Sequence, residues 1–254
     1  MTLKAPSVPF FEIKNLRQTL GGHVILRGVS LVVPTGKTTV VLGGSGAGKS
    51  VLLKHFNGLL RPLSGSIKVK GREISALTER EMTGIRRTIG VLFQDGALFD
   101  SMTIGENIAF PQREAGLRDE DKIQHRVAEV LNLVGLSGQE AKMPASLSGG
   151  MRKRVSLARA IAIKPECLLY DEPTAGLDPI LSESITRLIS TMKEELKVTS
   201  VVVTHNLGAM RLLADQVIFL KDGEVHYAGS PAGLEESEDE SIRNFISADA
   251  MGRG

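Results

Sequence analysis

The chain has one cysteine, Cys167, among 254 residues, so no intrachain disulfide forms and stability must come from packing. Cys167 sits in an apolar run, where a thiol acts as a small buried hydrophobe. No uninterrupted apolar stretch approaches the roughly 18 residues of a membrane-spanning helix, so a membrane role is expected through a partner. Met1 to Phe11 contains no apolar h-region, and no secretory leader is read there. Charge of one sign is also missing: 31 Lys and Arg stand against 29 Asp and Glu, a net of +2. That excludes the electrostatic footprint of a nucleic-acid binder. There is no internal repeat, and apart from His205 the histidines show no metal-ligand spacing. The 42% hydrophobic and 24% charged content is that of an ordinary globular protein able to bury a substantial core.

What is present is concentrated between Thr38 and Leu60. Thr38 to Leu42 are β-branched or apolar without alternation, as in a strand covered on both faces. Gly43-Gly44-Ser45-Gly46-Ala47-Gly48-Lys49-Ser50 comes next, and then Leu52, Leu53, Phe56, Leu59 and Leu60 recur at helical spacing. Glycines let consecutive N–H groups curl around an anion at which a helix N-terminus also points. Lys49 adds a full positive charge for β- and γ-phosphates, and the Ser50 hydroxyl is placed to ligate Mg²⁺. This is a complete G-x-x-x-x-G-K-S phosphate loop. A plain packing turn is the bland alternative. A dinucleotide-binding turn fits badly, because a third glycine is needed where Lys49 stands. Lys68 and Lys70 also occupy the region where an acidic residue would be required. The expected ligand is a nucleoside triphosphate.

Around this loop the pattern is α/β. Phe10–Leu16 and Val24–Val33 read as two strands joined at Gly21-Gly22, followed by Ile67–Lys70 and Ile89–Phe93, the last ending in Gln94. From Asp95 to Ala162 the helical period dominates. Thr103 and Glu106 form a capping-box pair, Asp119–Val134 is amphipathic, and Ser148 caps a helix stopped by Pro165. Strands then return at Cys167–Tyr170, Ser200–Thr204, Gln216–Leu220 and Glu224–Ala228, with a helix over Ser182–Leu196 and a helix start at Ser230-Pro231. Glu235–Glu240 reads as a solvated face or loop. The expected fold is an α/β phosphate-loop NTPase core, a mostly parallel sheet with helices on both faces. An N-terminal antiparallel β part and an inserted α-helical subdomain complete it. One domain is expected, with residues 10–94 and 163–234 as the RecA-like core, 95–162 as the helical subdomain and 235–254 as a tail.

Asp171-Glu172 ends an apolar strand. An aspartate there can hold the Mg²⁺ shell, and Glu172 can accept a proton from an attacking water. An exposed acidic pair is the alternative without a phosphate loop upstream. His205 also comes after an all-apolar strand, at the edge where doubly wound sheets meet ligand. Taken alone, it and Gln94 remain open between structural and functional readings.

The phosphate loop, Gln94, Leu147-Ser148-Gly149-Gly150, Asp171-Glu172, Pro173-Thr174-Ala175-Gly176-Leu177-Asp178-Pro179 and His205 occur in one order. Together they make the chain resemble the ATP-binding subunit of ABC transporters over essentially its whole length. The resemblance implies that Gln94 touches Mg²⁺ and water, and that Ser148 and Gly150 bind the γ-phosphate held by an opposite subunit. It also makes Asp178 the D-loop aspartate and His205 the switch histidine. A head-to-tail homodimer hydrolysing ATP is expected, with a membrane permease docking near Asp95–Phe99, where Leu98, Phe99 and Met102 suggest an apolar loop tip. Two positions depart from the pattern. Leu20 stands where an aromatic residue usually stacks on adenine, and Met151 stands where glutamine is commoner. Ser148–Arg154, preceded by Met143-Pro144, together with Phe93–Phe99, is similar to the ATPases of MCE-type (Mla-like) phospholipid transport systems. That implies a periplasmic MCE-type lipid-binding subunit in the same complex and a place at the cytoplasmic face of a bacterial inner membrane. Three other functions compete: the ATPase of a small-solute importer, a soluble ABC ATPase acting on DNA or ribosomes, and a phosphate-loop kinase. The second would need a heptad insertion or two cassettes and a basic surface. The third suits Glu172 poorly, since a carboxylate there serves water rather than an acceptor alcohol.

Overall fold

The computed structural model describes residues 8–251. Residues 1–7 of the stretch read for a leader, and 252–254 of the tail, lie outside the described residues. In chain order the strands are β1 (Phe11–Leu20), β2 (His23–Val33), β3 (Thr38–Leu42), β4 (Ser64–Val69), β5 (Arg72–Glu73), β6 (Ile89–Leu92), β7 (Cys167–Asp171), β8 (Thr199–Thr204), β9 (Gln216–Lys221) and β10 (Glu224–Gly229). The helices are α1 (Lys49–Phe56), α2 (Glu79–Arg86), α3 (Ile104–Glu114), α4 (Glu120–Leu133), α5 (Gly149–Ile161), α6 (Pro179–Leu196), α7 (Leu207–Leu213), α8 (Pro231–Glu235) and α9 (Glu240–Met251).

Two sheets form. The larger has the order β10-β9-β3-β8-β7-β6, parallel except for the antiparallel β9–β10 hairpin at one edge. The smaller, β2-β1-β4-β5, is antiparallel. Every residue of β3, β7 and β8 is buried, which is why these strands read as unbroken apolar runs. Their alternate side chains divide between two cores. Val40, Leu42, Tyr170 and Val202 join the cluster under α3–α7. Val41, Leu169, Val201 and Val203 join the one shared with α1 and the small sheet.

Register decides where the site lies. Leu42 pairs with Thr204, Asp171 with Val203, and Leu92 with Tyr170. The C-terminal ends of four parallel strands therefore sit side by side. Each strand hands its next segment to that one edge: β3 the phosphate loop, β8 His205, β7 Glu172 and β6 the turn carrying Gln94.

Several boundaries differ from those expected of the sequence. Helix α6 begins at Pro179 rather than near Ser182, because Asp178 caps it: its Oδ1 accepts the Leu181 N–H at 2.9 Å, and Pro179 fits the first helical position. Helix α2 is an addition to the expected pattern, and Thr78 and Glu81 start it with a complete capping box. Past Glu240, where a tail is expected, α9 forms instead, with Ile242 only 1% exposed. The Thr103–Glu106 box, the Asp119 cap and the Ser148 cap are all made. Cys167 is buried, and burial pushes its thiol pKa up, as an inert core thiol requires.

Candidate active site

A cleft of about 690 Å³ opens at the strand-end edge. Gly44, Ser45, Gly46, Ala47, Gly48, Lys49 and Ser50 form its floor, and Gln94, Glu172 and His205 come from neighbouring strand ends. Its size suits a nucleotide-scale ligand.

The loop's shape depends on two glycines. Gly48 has φ +99°, a left-handed conformation that starts α1 with its N–H groups facing the cleft. Gly43 is needed for closeness: a Cβ there would lie 2.2 Å from the Leu220 carbonyl oxygen on β9. The loop is thus seated directly on the sheet edge. A Cβ at Gly44 or Gly46 would meet nothing within 4 Å, so the backbone there faces open space wide enough for an anion.

Lys49 is buried, and its ammonium donates to the carbonyls of Gly43 and Gly44, both at 2.9 Å. It also lies 3.3 Å from Glu172 Oε1. The Glu172 Oε2 atom is in turn 3.0 Å from His205 Nδ1. Lys49, Glu172 and His205 are therefore one linked set. Its first two members are buried, while the His205 side chain is open to solvent. Glu172 also has φ +43°, a left-handed conformation unusual for a residue with a Cβ. Beside it, the Ser50 hydroxyl donates to Asp171 Oδ1 at 2.7 Å. Burial is the largest influence on Asp171 and raises its carboxyl pKa from the ordinary aspartate value. Nearby Glu172 adds to that, while the Ser50 bond and the Lys54 and Lys49 cations oppose it. A half-buried hydroxyl paired with a buried carboxylate next to an anion cradle is an all-oxygen donor set of the kind Mg²⁺ prefers.

The site residues expected from the sequence fall into two groups, with Leu20 apart from both. Gly43 to Ser50, Gln94, Asp171, Glu172 and His205 come together. Ser148, Gly150 and Asp178 do not line the cleft; they meet elsewhere. Ser148 Oγ caps α5 by accepting the Met151 N–H at 3.3 Å, and Gly150 packs under Leu181, just past Asp178. Ile180, in the first turn of α6, is 81% exposed. Leu20 is at the β1–β2 hairpin end, 38% exposed and off the cleft lining. At the loop after Gln94 the three apolar residues differ. Leu98 packs on the core and Met102 is half-buried, while Phe99 is 42% exposed with its ring edge against Phe110, centroids 5.0 Å apart.

Three residues contribute contacts that the sequence does not announce. Lys153, one turn into α5, donates from its ammonium to the Gln94 carbonyl, and burial lowers its pKa. This ties the Ser148 helix to the Gln94 loop. Phe245 and Ala248 of α9 line the cleft. No local pattern signals these contacts, since all of them depend on long-range packing.

A phosphate loop on a parallel sheet, with carboxylates on a neighbouring strand end, defines a nucleoside-triphosphate hydrolase. The family described as ABC transporter matches residues 26–175, and the chain belongs to it as an ATP-binding, ATP-hydrolysing subunit. It is 42% identical over 241 residues to the probable ribonucleotide transport ATP-binding protein mkl of Mycobacterium leprae, covering 95% of this chain and 70% of that one. It is also 42% identical over 225 residues to the methionine import ATP-binding protein MetN of Brucella abortus, covering 89% of this chain and 61% of that one. Among solved structures, the dimeric post-hydrolysis cassette MJ0796 bound to ADP and Pi superimposes with a TM-score of 0.79 at 33% identity, covering 87% of this chain and 98% of that one. CbiO1 of Clostridium perfringens, part of the transporter complex CbiONQ, gives 0.81 at 31% identity, covering 94% and 95%. The α/β phosphate-loop fold expected from the sequence is the fold observed. Among the described residues no helix is long and apolar enough to cross a membrane.

Proposed function

We propose that two copies of this chain, arranged head to tail, hydrolyse ATP between them and drive a permease of an MCE-type phospholipid transport system. The observation that carries the hydrolytic part is the Lys49–Glu172–His205 set beside Ser50–Asp171. Lys49 is held by loop carbonyls and by Glu172. Phosphate oxygens entering the cradle give Lys49 stronger partners, and Glu172 is then released to accept a proton from water. As the water oxygen bonds to the γ-phosphorus, the bond to the ADP oxygen breaks and the proton passes to Glu172. His205, 3.0 Å from the same carboxylate, orients it. Ser50, Asp171 and Gln94 would hold Mg²⁺, whose chemistry is to neutralise charge developing on the phosphate oxygens.

The dimer is supported by the placement of Ser148 away from the cleft of its own chain. The α5 N-terminus, capped by Ser148, carries roughly half a positive charge suited to a γ-phosphate, yet Ser148 is exposed and the helix start lies against Leu177 and Leu181, on either side of Asp178, instead of lining the cleft. A second copy, rotated, would bring that end onto the first copy's cleft. The relative MJ0796 is dimeric and CbiO1 belongs to a transporter complex, which supports the same assembly and a permease partner here. Docking near Asp95–Phe99 is favoured by exposed Phe99, a few residues beyond Gln94. A peripheral place at the cytoplasmic face of an inner membrane goes with it.

The lipid reading rests on residues 93–99 and 148–154, with Met151 replacing the commoner glutamine. A second reading, import of a small solute, is favoured by the transport functions that the relatives mkl and MetN are named for. Affinity purification from detergent-solubilised membranes separates the two. Recovery of a permease with an MCE-type subunit supports the first, and recovery of an amino-acid or nucleotide permease without one overturns it while leaving the ATPase intact.

A further inference from the structure

The cleft has a polar floor and an apolar side wall, and the wall is not made by Leu20. It is made by Ile25 of β2 together with Phe245 and Ala248 of α9. We infer that Phe245 is the platform against which the purine base of the bound nucleotide rests, with Ile25 beside it. This deepens the nucleotide-site reading and rests on it.

Three observations carry the assignment. First, Phe245 is not a loosely hung side chain. Its ring meets Phe219 edge-on, with centroids 5.2 Å apart and planes at 63°. Phe219 lies on β9 opposite Leu42, the residue immediately before the phosphate loop. The ring is thereby fixed relative to the phosphate cradle through two hydrogen-bonded strands, and a platform fixed in advance loses little entropy on binding. Second, α9 is anchored through its first turn. Asp239 accepts the Ser241 and Ile242 N–H groups at 2.7 and 3.2 Å, Lys221 donates to Ser241 Oγ at 2.8 Å, and Ile242 is buried in the core. Third, the triphosphate occupies the floor, so the base must lie against the remaining wall, and Phe245 is the phenyl ring among the residues lining it. A half-exposed aromatic ring bordering a nucleotide-sized cleft is what a purine stacks on. The position normally used for this contact holds Leu20, which is off the cleft, and the aromatic function has moved to the C-terminal helix.

The test exploits the absence of tryptophan from the sequence. In the full-length Phe245→Trp variant the new indole is the only one, so its emission reports on this site alone. Addition of Mg-ATP should change that emission saturably, at the concentration that saturates hydrolysis. Inorganic tripolyphosphate, which has no base, should compete for the cradle without producing the change. In Phe245→Ala the KM for ATP should rise about 2- to 10-fold with kcat held within about twofold, while inhibition by tripolyphosphate is unaltered. A thermal melt shows whether each variant is folded, and Phe245→Tyr should restore the KM. No change in KM, an equal loss of ATP and tripolyphosphate affinity, an indole that does not respond to ATP, or a KM increase confined to Leu20→Ala would each overturn the assignment. Failure of the underlying nucleotide site would look different: tripolyphosphate would then fail to compete with ATP in the unmutated protein.

Discussion

The two halves of the proposed ATP site are built in opposite ways. Around the phosphate loop, Lys49, Glu172, Asp171 and Ser50 are buried or half-buried and already bonded to one another. Around Ser148 the groups face outward, and their hydrogen bonds satisfy only the local caps of α5 and α6. A half that is complete within one chain can be tuned by burial. A half that must meet another copy has to stay open, with helix ends and apolar side chains such as Ile180 held at the surface. Lys153, bonded to the Gln94 carbonyl, joins the two halves through the interior of one chain.

The largest expected effect sharpens the buried half. Glu172→Gln keeps the side chain's shape but cannot take the proton, so turnover should fall by at least about 10²- to 10⁴-fold while ATP affinity is retained. Steady-state hydrolysis would measure the first part. Gel filtration with Mg-ATP should show the variant accumulating as a dimer, and near-normal turnover would remove Glu172 from the role of base.

Ser148→Arg probes the open half. A guanidinium over the α5 N-terminus should abolish hydrolysis although the cleft's own residues are untouched. Lys49→Ala should instead weaken nucleotide binding, by removing the cation from the cradle. Mixing the two inactive proteins should restore part of the activity, because one of the two composite sites in each heterodimer is then chemically intact. Full activity of Ser148→Arg as a monomer would erase the distinction between the halves.

Phe99→Asp should leave ATP hydrolysis by the isolated protein within about twofold, since the ring is exposed and lies outside the cleft. It should nevertheless release the protein from its membrane complex during purification. An intact complex would place the permease contact elsewhere.

The smallest effect concerns stability. Burial raises the Asp171 pKa, so its ionised form is penalised in the folded state. That penalty is complete above the raised pKa and vanishes as pH falls toward the ordinary carboxylate value of about 4. Asp171→Asn should therefore raise the melting temperature of the nucleotide-free protein at pH 7, with the gain shrinking as the buffer is acidified. Calorimetry at several pH values would show it, and a gain independent of pH would assign the effect to packing instead.

Much of the site is legible in the sequence because it is local. The phosphate loop is a contiguous run, and Asp171, Glu172 and His205 each announce themselves by ending an apolar strand. Their convergence is a matter of strand order, which fold class already implies. Asp178 shows how one residue can mislead: its place in a motif obscures its role as the cap that starts α6 at Pro179. Thr78 and Glu81 carry a capping-box signal as clear as that of Thr103 and Glu106, but too few apolar residues come after it to suggest a helix. Phe245 is a different case. It comes after an acidic, serine-rich stretch whose composition argues for solvent, and its position is set by Phe219 on β9, a contact no window of sequence contains. Leu20 is expected at the base by analogy of position, and the hairpin carries it away from the cleft.

Glu172 also bears on how such a protein can be improved. A non-glycine residue at φ +43° is strained, typically by about 1–3 kcal/mol, a large share of what holds a domain together. The strain aims the carboxylate between Lys49 and His205. A laboratory selection for heat resistance alone would therefore favour replacing Glu172 and deliver a sturdier but hydrolytically dead protein. Screens for thermostable variants must retain a turnover assay at every round.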